Sequence, residues 1–327
     1  MNIKKNQDNL GKNSADAREH VYDMLIVGGG PAGYTAALYG ARAGLDTLVL
    51  EKVSPGGQMT LTPQIDNYPG FEQGIDGFLL GQKMQKGAEQ FGAKSRLEEV
   101  LSLELSGKVK KAVTHGGMYC GRTLVYAAGA NHKELGLPEE KELVGRGVHY
   151  CASCDGMFYR EKTVVVVGGG NAAVSDALLL SRICKRVILV HRRDTLRAEK
   201  IYQDLLRKAE NVEFLWNQVV SQFLYKERVE GVRLENVSTK EKTEVECDGV
   251  FVSVGRAPAT ELVRGQLDLD SAGYIIADES TRTSVPGVFA AGDVRAKALR
   301  QIVTAVADGA VAVSYGEEYL ARTVGMS

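Results

Sequence analysis

Several kinds of segment are missing from this sequence, and each absence excludes a class of protein. No apolar run reaches 18 residues, because Asp176 interrupts the longest candidate, so no transmembrane helix is predicted. Residues 1–20 are polar and lack the hydrophobic stretch of a signal peptide, and we expect them to form a disordered leader. The formal net charge is only −1 and no long basic run occurs, which disfavours nucleic acid and anionic membranes as partners.

Cysteine is scarce, and its five positions are scattered: Cys120, Cys151, Cys154, Cys184 and Cys247. An odd number in a chain without a signal peptide favours a reducing compartment, so we expect a cytoplasmic protein. A structural zinc site needs a second pair of ligands at motif spacing, and without one we predict no metal site. We expect Cys120, Cys184 and Cys247 to be small buried or neutral residues.

The composition that is present is typical of a globular α/β protein with many tight turns. Apolar residues make up 44% of the chain, charged residues 25%, and 37 of the 327 residues are glycine. This length is enough for about two domains, each with a hydrophobic core of its own.

The other two cysteines lie in the stretch Cys151-Ala-Ser-Cys154-Asp155, a CxxC pair followed directly by a carboxylate. A disulfide across a four-residue loop stabilises a fold by roughly 2 kcal/mol, well below a bridge that closes a long loop. Thiols in CxxC pairs have adjustable pKa values and exchange readily with disulfides. The pair is therefore predicted to be redox-active rather than mainly structural.

A dinucleotide-binding βαβ unit is predicted near the start of the chain. The short apolar strand Val21–Val27 runs into a GxGxxG turn over residues 28–33, and a helix of small residues follows to about Ala43. The next strand, over residues 47–50, ends in Glu51. Turn glycines of this kind let a pyrophosphate approach the helix N-terminus, and the acidic residue accepts hydrogen bonds from ribose hydroxyls.

A second copy of this unit follows in the middle of the chain. The β-branched strand Thr163–Val167 leads into a glycine turn over residues 168–173, then a helix to about Ser181 and a strand over residues 186–190. The two copies are in register, because the first residue after the second strand lies 23 positions beyond the first glycine in each.

The two copies differ in charge at this matched position. The first offers the carboxylate of Glu51, whereas the second offers a basic set, namely His191, Arg192, Arg193 and, four residues later, Arg197. A carboxylate repels a 2′-phosphate, and guanidinium groups bind one through paired, charge-assisted hydrogen bonds. The second copy is therefore predicted to bind NADP(H) in preference to NAD(H).

The C-terminal part indicates which nucleotide the first copy binds. Residues 283–293 form a loop that enters a short apolar strand ending in Gly292-Asp293, where an aspartate can reach the ribityl chain and phosphate of a flavin nucleotide. A helix with small residues begins at about Arg300 and continues to about Tyr319. Its free amides and positive end would face the flavin pyrimidine oxygen and favour the anionic reduced ring.

The predicted fold is α/β, with two Rossmann-like three-layer domains, one inserted into the other. The FAD-binding domain is discontinuous over residues 21–130 and 249–327, and the NADPH-binding domain, which carries the CxxC pair, covers residues 131–248. Candidate hinges lie at residues 127–131 and 246–249, and a strand over residues 250–254 is expected to open the second segment of the FAD-binding domain.

In this order the motifs resemble those of the bacterial low-molecular-weight thioredoxin reductases, over essentially all of residues 21–320. The matching stretches are Gly28-Gly-Gly-Pro-Ala-Gly33, Pro55-Gly-Gly-Gln58, Asn67-Tyr-Pro-Gly70, Cys151-Ala-Ser-Cys-Asp155, Gly168-Gly-Gly-Asn-Ala-Ala173, His191-Arg-Arg-Asp-Thr-Leu-Arg-Ala198, Gly292-Asp293 and Arg300-Gln301. Each stretch alone is a modest indication, but the ordered set is highly specific. The resemblance implies FAD, NADPH, a homodimer and thioredoxin as the protein substrate.

The resemblance also implies which residues bind the two nucleotides. FAD would be bound by Gly28, Gly30, Pro31, Ala32, Gly33, Glu51, Gly57, Gln58, Asn67, Ala128, Gly129, Gly292, Asp293, Arg300, Gln301 and Ile302. NADPH would be bound by Gly168, Gly170, Asn171, Ala172, His191, Arg192, Arg193 and Arg197.

By the family's pattern, electrons pass from NADPH to FAD, then to the Cys151–Cys154 disulfide, and then to oxidised thioredoxin. Cys154 would face the flavin, and Cys151 would attack the partner disulfide. Asp155 would protonate the leaving thiolate and later accept its proton; a helix N-cap is its alternative role, and the two roles are compatible. Because the disulfide and the NADPH site share one domain, this domain is expected to turn between two orientations.

The sequence departs from the family's pattern at three positions. Ser153 stands where members usually have threonine and keeps the hydroxyl group. Arg256 and Ala259 replace a usual histidine and asparagine, which changes local hydrogen bonds but no redox group.

Other functions stay open at this point. A related flavoprotein disulfide reductase could take electrons from ferredoxin, which the intact arginine set disfavours, or could reduce another CxxC protein. A nucleotide-binding redox sensor with low turnover is an alternative of a different class.

Overall fold

The computed structural model describes residues 20–62 and 64–324, so nearly all of the expected disordered leader lies outside the described residues. The chain forms two compact units. Unit 1 combines the segment that ends at Asn131 with the segment that begins at Ala257, and unit 2 is His132–Arg256. Within the described ranges, no helix is both long and apolar enough to cross a membrane.

Strands and helices alternate at the start of each unit, and a run of consecutive strands follows in each. The helices are α1 (Pro31–Arg42), α2 (Gly77–Glu89), α3 (Ala152–Asp155), α4 (Asn171–Ser181), α5 (Lys200–Leu206) and α6 (Ile302–Val324). The strands are β1 (Val21–Val27), β2 (Thr47–Glu51), β3 (Lys94–Leu97), β4 (Val100–Glu104), β5 (Lys110–Thr114), β6 (Gly117–Tyr126), β7 (Ala130–His132), β8 (Val148–His149), β9 (Thr163–Val167), β10 (Arg186–His191), β11 (Val212–Trp216), β12 (Gln218–Tyr225), β13 (Val229–Asn236), β14 (Lys242–Glu246), β15 (Gly249–Val252), β16 (Arg256–Pro258) and β17 (Val288–Ala290).

Unit 1 is built on a mixed sheet with the strand order β3-β2-β1-β6-β5-β4, and β17 pairs with the C-terminal end of β6. The strands β3, β2, β1, β6 and β17 are parallel, whereas β4 and β5 form an antiparallel extension. Because side chains alternate along a strand, Met24 and Ile26 pack in the cluster with α1 and α6, while Leu25 and Val27 pack in the cluster on the other face. Burial on both faces explains why β1 is almost continuously apolar.

Unit 2 has three layers. Its central sheet is parallel, with the order β11-β10-β9-β15-β8, and β12, β13 and β14 form a separate antiparallel sheet. In β9, Val164 and Val166 belong to the cluster that includes α4, and Val165 and Val167 belong to the cluster that includes β12 and β13. The run of valines is thus the sequence of a strand covered on both sides.

Two expected boundaries differ from the structure. The strand placed at residues 250–254 is β15, and it pairs in parallel with β9, so it belongs to unit 2 rather than to the segment that follows. The chain therefore returns to unit 1 after Arg256 and not near residue 249. The last helix continues beyond Tyr319 to Val324, because Leu320 is still buried within unit 1.

Candidate redox site and nucleotide-binding turns

The CxxC pair forms a one-turn helix in unit 2. Cys151 is the N-cap residue of α3 and forms a disulfide with Cys154, with the two Cα atoms 5.3 Å apart. The amides of Cys154 and Asp155 donate to the Cys151 carbonyl at 3.2 and 3.1 Å, which closes the turn. Both cysteines are partly exposed, so the disulfide is accessible to an attacking thiol.

Asp155 is held by a neighbour that the sequence reasoning did not identify. Its Oδ2 lies 2.9 Å from Nδ1 of His149, and Nε2 of this histidine lies 2.7 Å from the Tyr159 hydroxyl. All three side chains are buried. Asp155 stands at the N-cap position of the following 3₁₀ turn, but its carboxylate makes no capping hydrogen bond and turns to His149 instead. A histidine two positions before the first cysteine is the signal that could have been used.

The second glycine turn and the basic loop meet in unit 2. The Arg197 amide donates to the Gly169 carbonyl at 2.7 Å, and Asn171 exchanges two hydrogen bonds with Glu199, at 2.8 and 2.9 Å. A Cβ on Gly169 would lie 2.3 Å from the His191 ring, so the ring fills the space that a side chain would need. The two stretches that were predicted to bind one nucleotide are therefore adjacent.

The electrostatics of this turn suit an anion. The guanidinium groups of Arg192, Arg193 and Arg197 are exposed beside it, and Ala172 is exposed in the first turn of α4. Burial, followed by the charge of Arg197, lowers the pKa of His191. Its buried Nε2 has no hydrogen-bond partner in residues 20–62 and 64–324. A buried nitrogen without a hydrogen-bond partner, next to three arginines, fits a site in which a phosphate-bearing ribose supplies the missing partner and the negative charge.

The first glycine turn in unit 1 requires glycine at two places. Gly28 has a φ of +103°, and a Cβ on Gly33 would lie 1.8 Å from the Gly28 carbonyl oxygen. Glu51 supports this turn by accepting from the amides of Gly29, at 2.6 Å, and Val53, at 2.9 Å. A carboxylate has about four acceptor positions, so these two bonds leave capacity for ribose hydroxyls.

Distant parts of unit 1 gather around this turn. A Cβ on Gly57 would lie 3.3 Å from the Cα of Gly30, and one on Gly292 would lie 3.0 Å from the first turn of α1. The Asn67 amide donates to the Gln301 side chain at 3.0 Å. Among the other predicted residues, Pro31 and Ala32 begin α1, Ile302 begins α6, and Ala128 and Gly129 follow β6. Asp293 lies in a 3₁₀ turn. The Gln58 side chain donates to Asn131, and the Arg300 guanidinium stacks on Tyr274.

Both glycine turns fit a dinucleotide. The N-cap residues of α1 and α4 are Gly30 and Gly170, and in the described chain neither helix start has a side chain that caps it. An added Cβ at either glycine would meet open space. The uncapped amides and the positive helix end therefore face a space that a pyrophosphate can enter.

A buried ion cluster that the sequence reasoning also missed fixes the Gly292 turn. Asp308 accepts from the Gly292 amide at 2.9 Å, from two Arg295 nitrogens at 2.9 Å and from Lys297 Nζ at 2.8 Å. Burial alone would raise the pKa of Asp308, but the bonds from Arg295 and Lys297 outweigh it and hold that pKa below its usual value. The cluster ties the turn that carries Asp293 to α6.

Comparisons with known proteins agree with this geometry. A family model for pyridine nucleotide-disulphide oxidoreductases matches residues 22–309. The chain is 46% identical over 306 residues to a thioredoxin reductase of Listeria innocua, spanning 93% of this chain and 95% of that protein. It is 44% identical over 299 residues to a thioredoxin reductase of Treponema pallidum, spanning 91% of this chain and 97% of that protein. The crystal structure of thioredoxin reductase from Streptococcus pyogenes matches with a TM-score of 0.87 at 44% identity, over 92% of this chain and 99% of that one. The chain therefore belongs to the pyridine nucleotide-disulphide oxidoreductase family.

Proposed function

We propose that this protein is a thioredoxin-disulfide reductase that takes electrons from NADPH through FAD. The observation that carries the proposal is the accessible Cys151–Cys154 disulfide. The same chain holds two glycine turns that fit dinucleotides, one next to the carboxylate of Glu51 and the other next to a set of arginines. The relatives named thioredoxin reductase match 91% to 93% of the chain, which supports the same activity here.

The two units have separate nucleotides in this proposal. Unit 1 binds FAD through the uncapped start of α1, through Glu51 and through the turn at Asp293. Unit 2 binds NADPH through the start of α4 and through the exposed Arg192 and Arg193, which pair with the 2′-phosphate. When bound, the flavin accepts a hydride from NADPH and passes the electron pair to a disulfide.

The protein's own step is thiol–disulfide exchange. In the reduced pair, the Cys151 thiolate attacks a disulfide sulfur of oxidised thioredoxin, a Cys151–thioredoxin bond forms, and the second thioredoxin sulfur leaves and takes a proton. Cys154 then attacks the Cys151 sulfur, which restores the Cys151–Cys154 bond and releases thioredoxin as a dithiol. Asp155 supplies and accepts the protons of these steps.

We also propose a cytoplasmic homodimer with no nucleic-acid partner, as the family resemblance and the net charge suggest.

Burial raises the pKa of Cys184 to about 11 and that of Cys247 to about 12. These two thiols stay protonated at neutral pH and do not compete with the CxxC pair for disulfides.

The test replaces both cysteines of the pair with serine, with Cys120→Ser as the matched control. Thioredoxin reduction should disappear in the double variant, while NADPH-dependent reduction of ferricyanide continues at a rate similar to wild type. The control should keep both activities. Loss of both activities in the double variant would contradict the relay, and thioredoxin reduction that survives would contradict the role of the pair.

A second measurement separates the alternatives. NADPH oxidation is followed in the steady state with and without thioredoxin. A reductase turns over many times when thioredoxin is present, whereas a redox sensor stops once its own flavin and disulfide are reduced. Turnover with reduced ferredoxin but not with NADPH would overturn the assignment of the electron donor.

A further inference from the structure

Three buried polar side chains form a hydrogen-bonded network that extends from Asp155, next to the redox pair, into the core of unit 2. His149, at the end of β8, is only 7% exposed and stacks on Phe251 of β15, with ring centroids 5.3 Å apart. Its Nδ1 contacts Asp155 at 2.9 Å and its Nε2 contacts the Tyr159 hydroxyl at 2.7 Å. Both ring nitrogens of a core histidine are thus engaged, one of them by the carboxylate that follows the CxxC pair.

The positions of the protons in this network follow from which groups donate hydrogen bonds. Burial raises the pKa of Tyr159 to about 12, so its hydroxyl keeps its proton at neutral pH. A protonated phenol can donate to an imidazole nitrogen that carries no hydrogen, which favours the tautomer with the ring proton on Nδ1. This Nδ1–H then donates to Asp155. Tyr159 therefore selects the tautomer that lets His149 bind a carboxylate.

The titratable groups around this network are Asp155, Lys162, Arg228, Cys247 and Asp248. The Nζ of Lys162 lies 5.6 Å from the Tyr159 ring centroid, and Arg228, Cys247 and Asp248 influence the pKa of Tyr159 through their charges. Cys247 is buried and its pKa is raised by burial, so it adds no charge. In the described part of the chain, Asp155 is the carboxylate that hydrogen-bonds the His149 ring.

We propose that His149 is a positioning residue for Asp155. In the tautomer that Tyr159 selects, the His149 ring holds Oδ2 of Asp155. Oδ1 then remains available for the protons exchanged with the cysteine pair. This inference rests on the proposed function for the role of Asp155. A carboxylate beside a thiol repels the thiolate and disfavours its formation. Without His149, Asp155 loses the hydrogen bond that fixes its Oδ2, so its charge is no longer held beside the cysteine pair. The reduced pair should then form a thiolate at lower pH.

The test compares two amides that imitate opposite halves of the imidazole. In His149→Asn the side-chain amide stands near the position of Nδ1 and can still donate to Asp155. In His149→Gln the amide reaches the position of Nε2 and meets Tyr159 instead. The measurement is the pH dependence of iodoacetamide alkylation of the CxxC thiols, in the flavin-containing protein after reduction with dithiothreitol.

We expect the His149→Gln profile to move to lower pH by about one unit, the lower end of the effect that a charge within about 4–6 Å has on a neighbouring pKa. Turnover with thioredoxin should fall about tenfold. His149→Asn should keep a profile close to wild type. Equal profiles in the two variants, whether shifted or not, would overturn the proposal, since a histidine that only fills space would be replaced by either amide with the same result.

Tyr159→Phe keeps the ring and removes the hydroxyl, and it tests the tautomer step even if one His149 variant folds poorly. Its alkylation profile should move in the same direction by a smaller amount, and an unchanged profile would overturn the role of Tyr159. Alkylation requires neither thioredoxin nor NADPH. A wild-type protein that fails to reduce thioredoxin would therefore refute the proposed function, while the alkylation profiles still decide the role of His149.

Discussion

The buried ion cluster in unit 1 gives a stability prediction of large size. Asp308 bridges Arg295 and Lys297, whose side chains are only 6% and 7% exposed, and Arg295 also lies 3.9 Å from the exposed Glu279. The substitution Asp308→Ala leaves both cations buried without that partner. Removing one member of a buried ion pair costs about 3–5 kcal/mol, because the remaining charge stays out of water. We expect the free energy of unfolding to fall by about this amount.

The assay is urea unfolding of the full-length chain followed by circular dichroism, with Glu99→Ala as the matched control. Glu99 pairs with Lys52 at 2.7 Å in the same unit, but both side chains are well exposed, at 44% and 63%. Exposed pairs contribute less than about 1 kcal/mol, so the control should change little. The Gly292 amide also loses its acceptor in Asp308→Ala, and we expect less FAD to stay bound through purification.

The cluster also predicts how stability depends on pH. The pKa of Asp308 is lowered in the folded protein, so the stabilisation is present above the pKa of the unfolded carboxyl, about 3.9, and is lost as the pH falls through the folded value. Wild type should therefore lose stability below about pH 4 more steeply than Asp308→Ala. Equal acid slopes, or a loss of stability no larger than that of Glu99→Ala, would refute the reasoning.

Two further predictions concern the nucleotide-binding turns, and a third concerns a glycine inside α2. Neutral replacement of Arg192 and Arg193 should raise the KM for NADPH about tenfold or more and leave that for NADH nearly unchanged, as measured by initial rates; equal effects would contradict the 2′-phosphate assignment. Gly33→Ala should abolish FAD retention, because the new Cβ would lie 1.8 Å from a carbonyl oxygen. Gly87→Ala in α2, where a Cβ meets open space, should instead stabilise the protein by about 0.5–1 kcal/mol in thermal unfolding.

The glycine turns and their flanking strands could be predicted because each signal is local. The β1 and β9 strands begin and end where the apolar runs do, and the turns follow at once. The place of β15 could not be predicted in this way, since an apolar run reads the same in either unit and only its pairing with β9 decides.

The network around Asp155 lay beyond sequence reasoning for a different reason. His149, Asp155 and Tyr159 lie on three different elements, and their contacts depend on how β8, α3 and the next turn pack. The Arg295 and Asp308 pair likewise joins a turn to α6. Local patterns report which backbone a segment prefers, but a side-chain network depends on tertiary packing that no single segment specifies.

The interruption of unit 1 by unit 2 has a consequence for synthesis on the ribosome. Unit 2 is a continuous segment and can fold as soon as it has emerged, whereas the β6 edge must wait for β17, and α1 must wait for α6. The part of the chain made first is therefore completed last. Until the C-terminal segment arrives, the nascent unit 1 exposes a strand edge and an apolar helix face, which are the surfaces that chaperones bind.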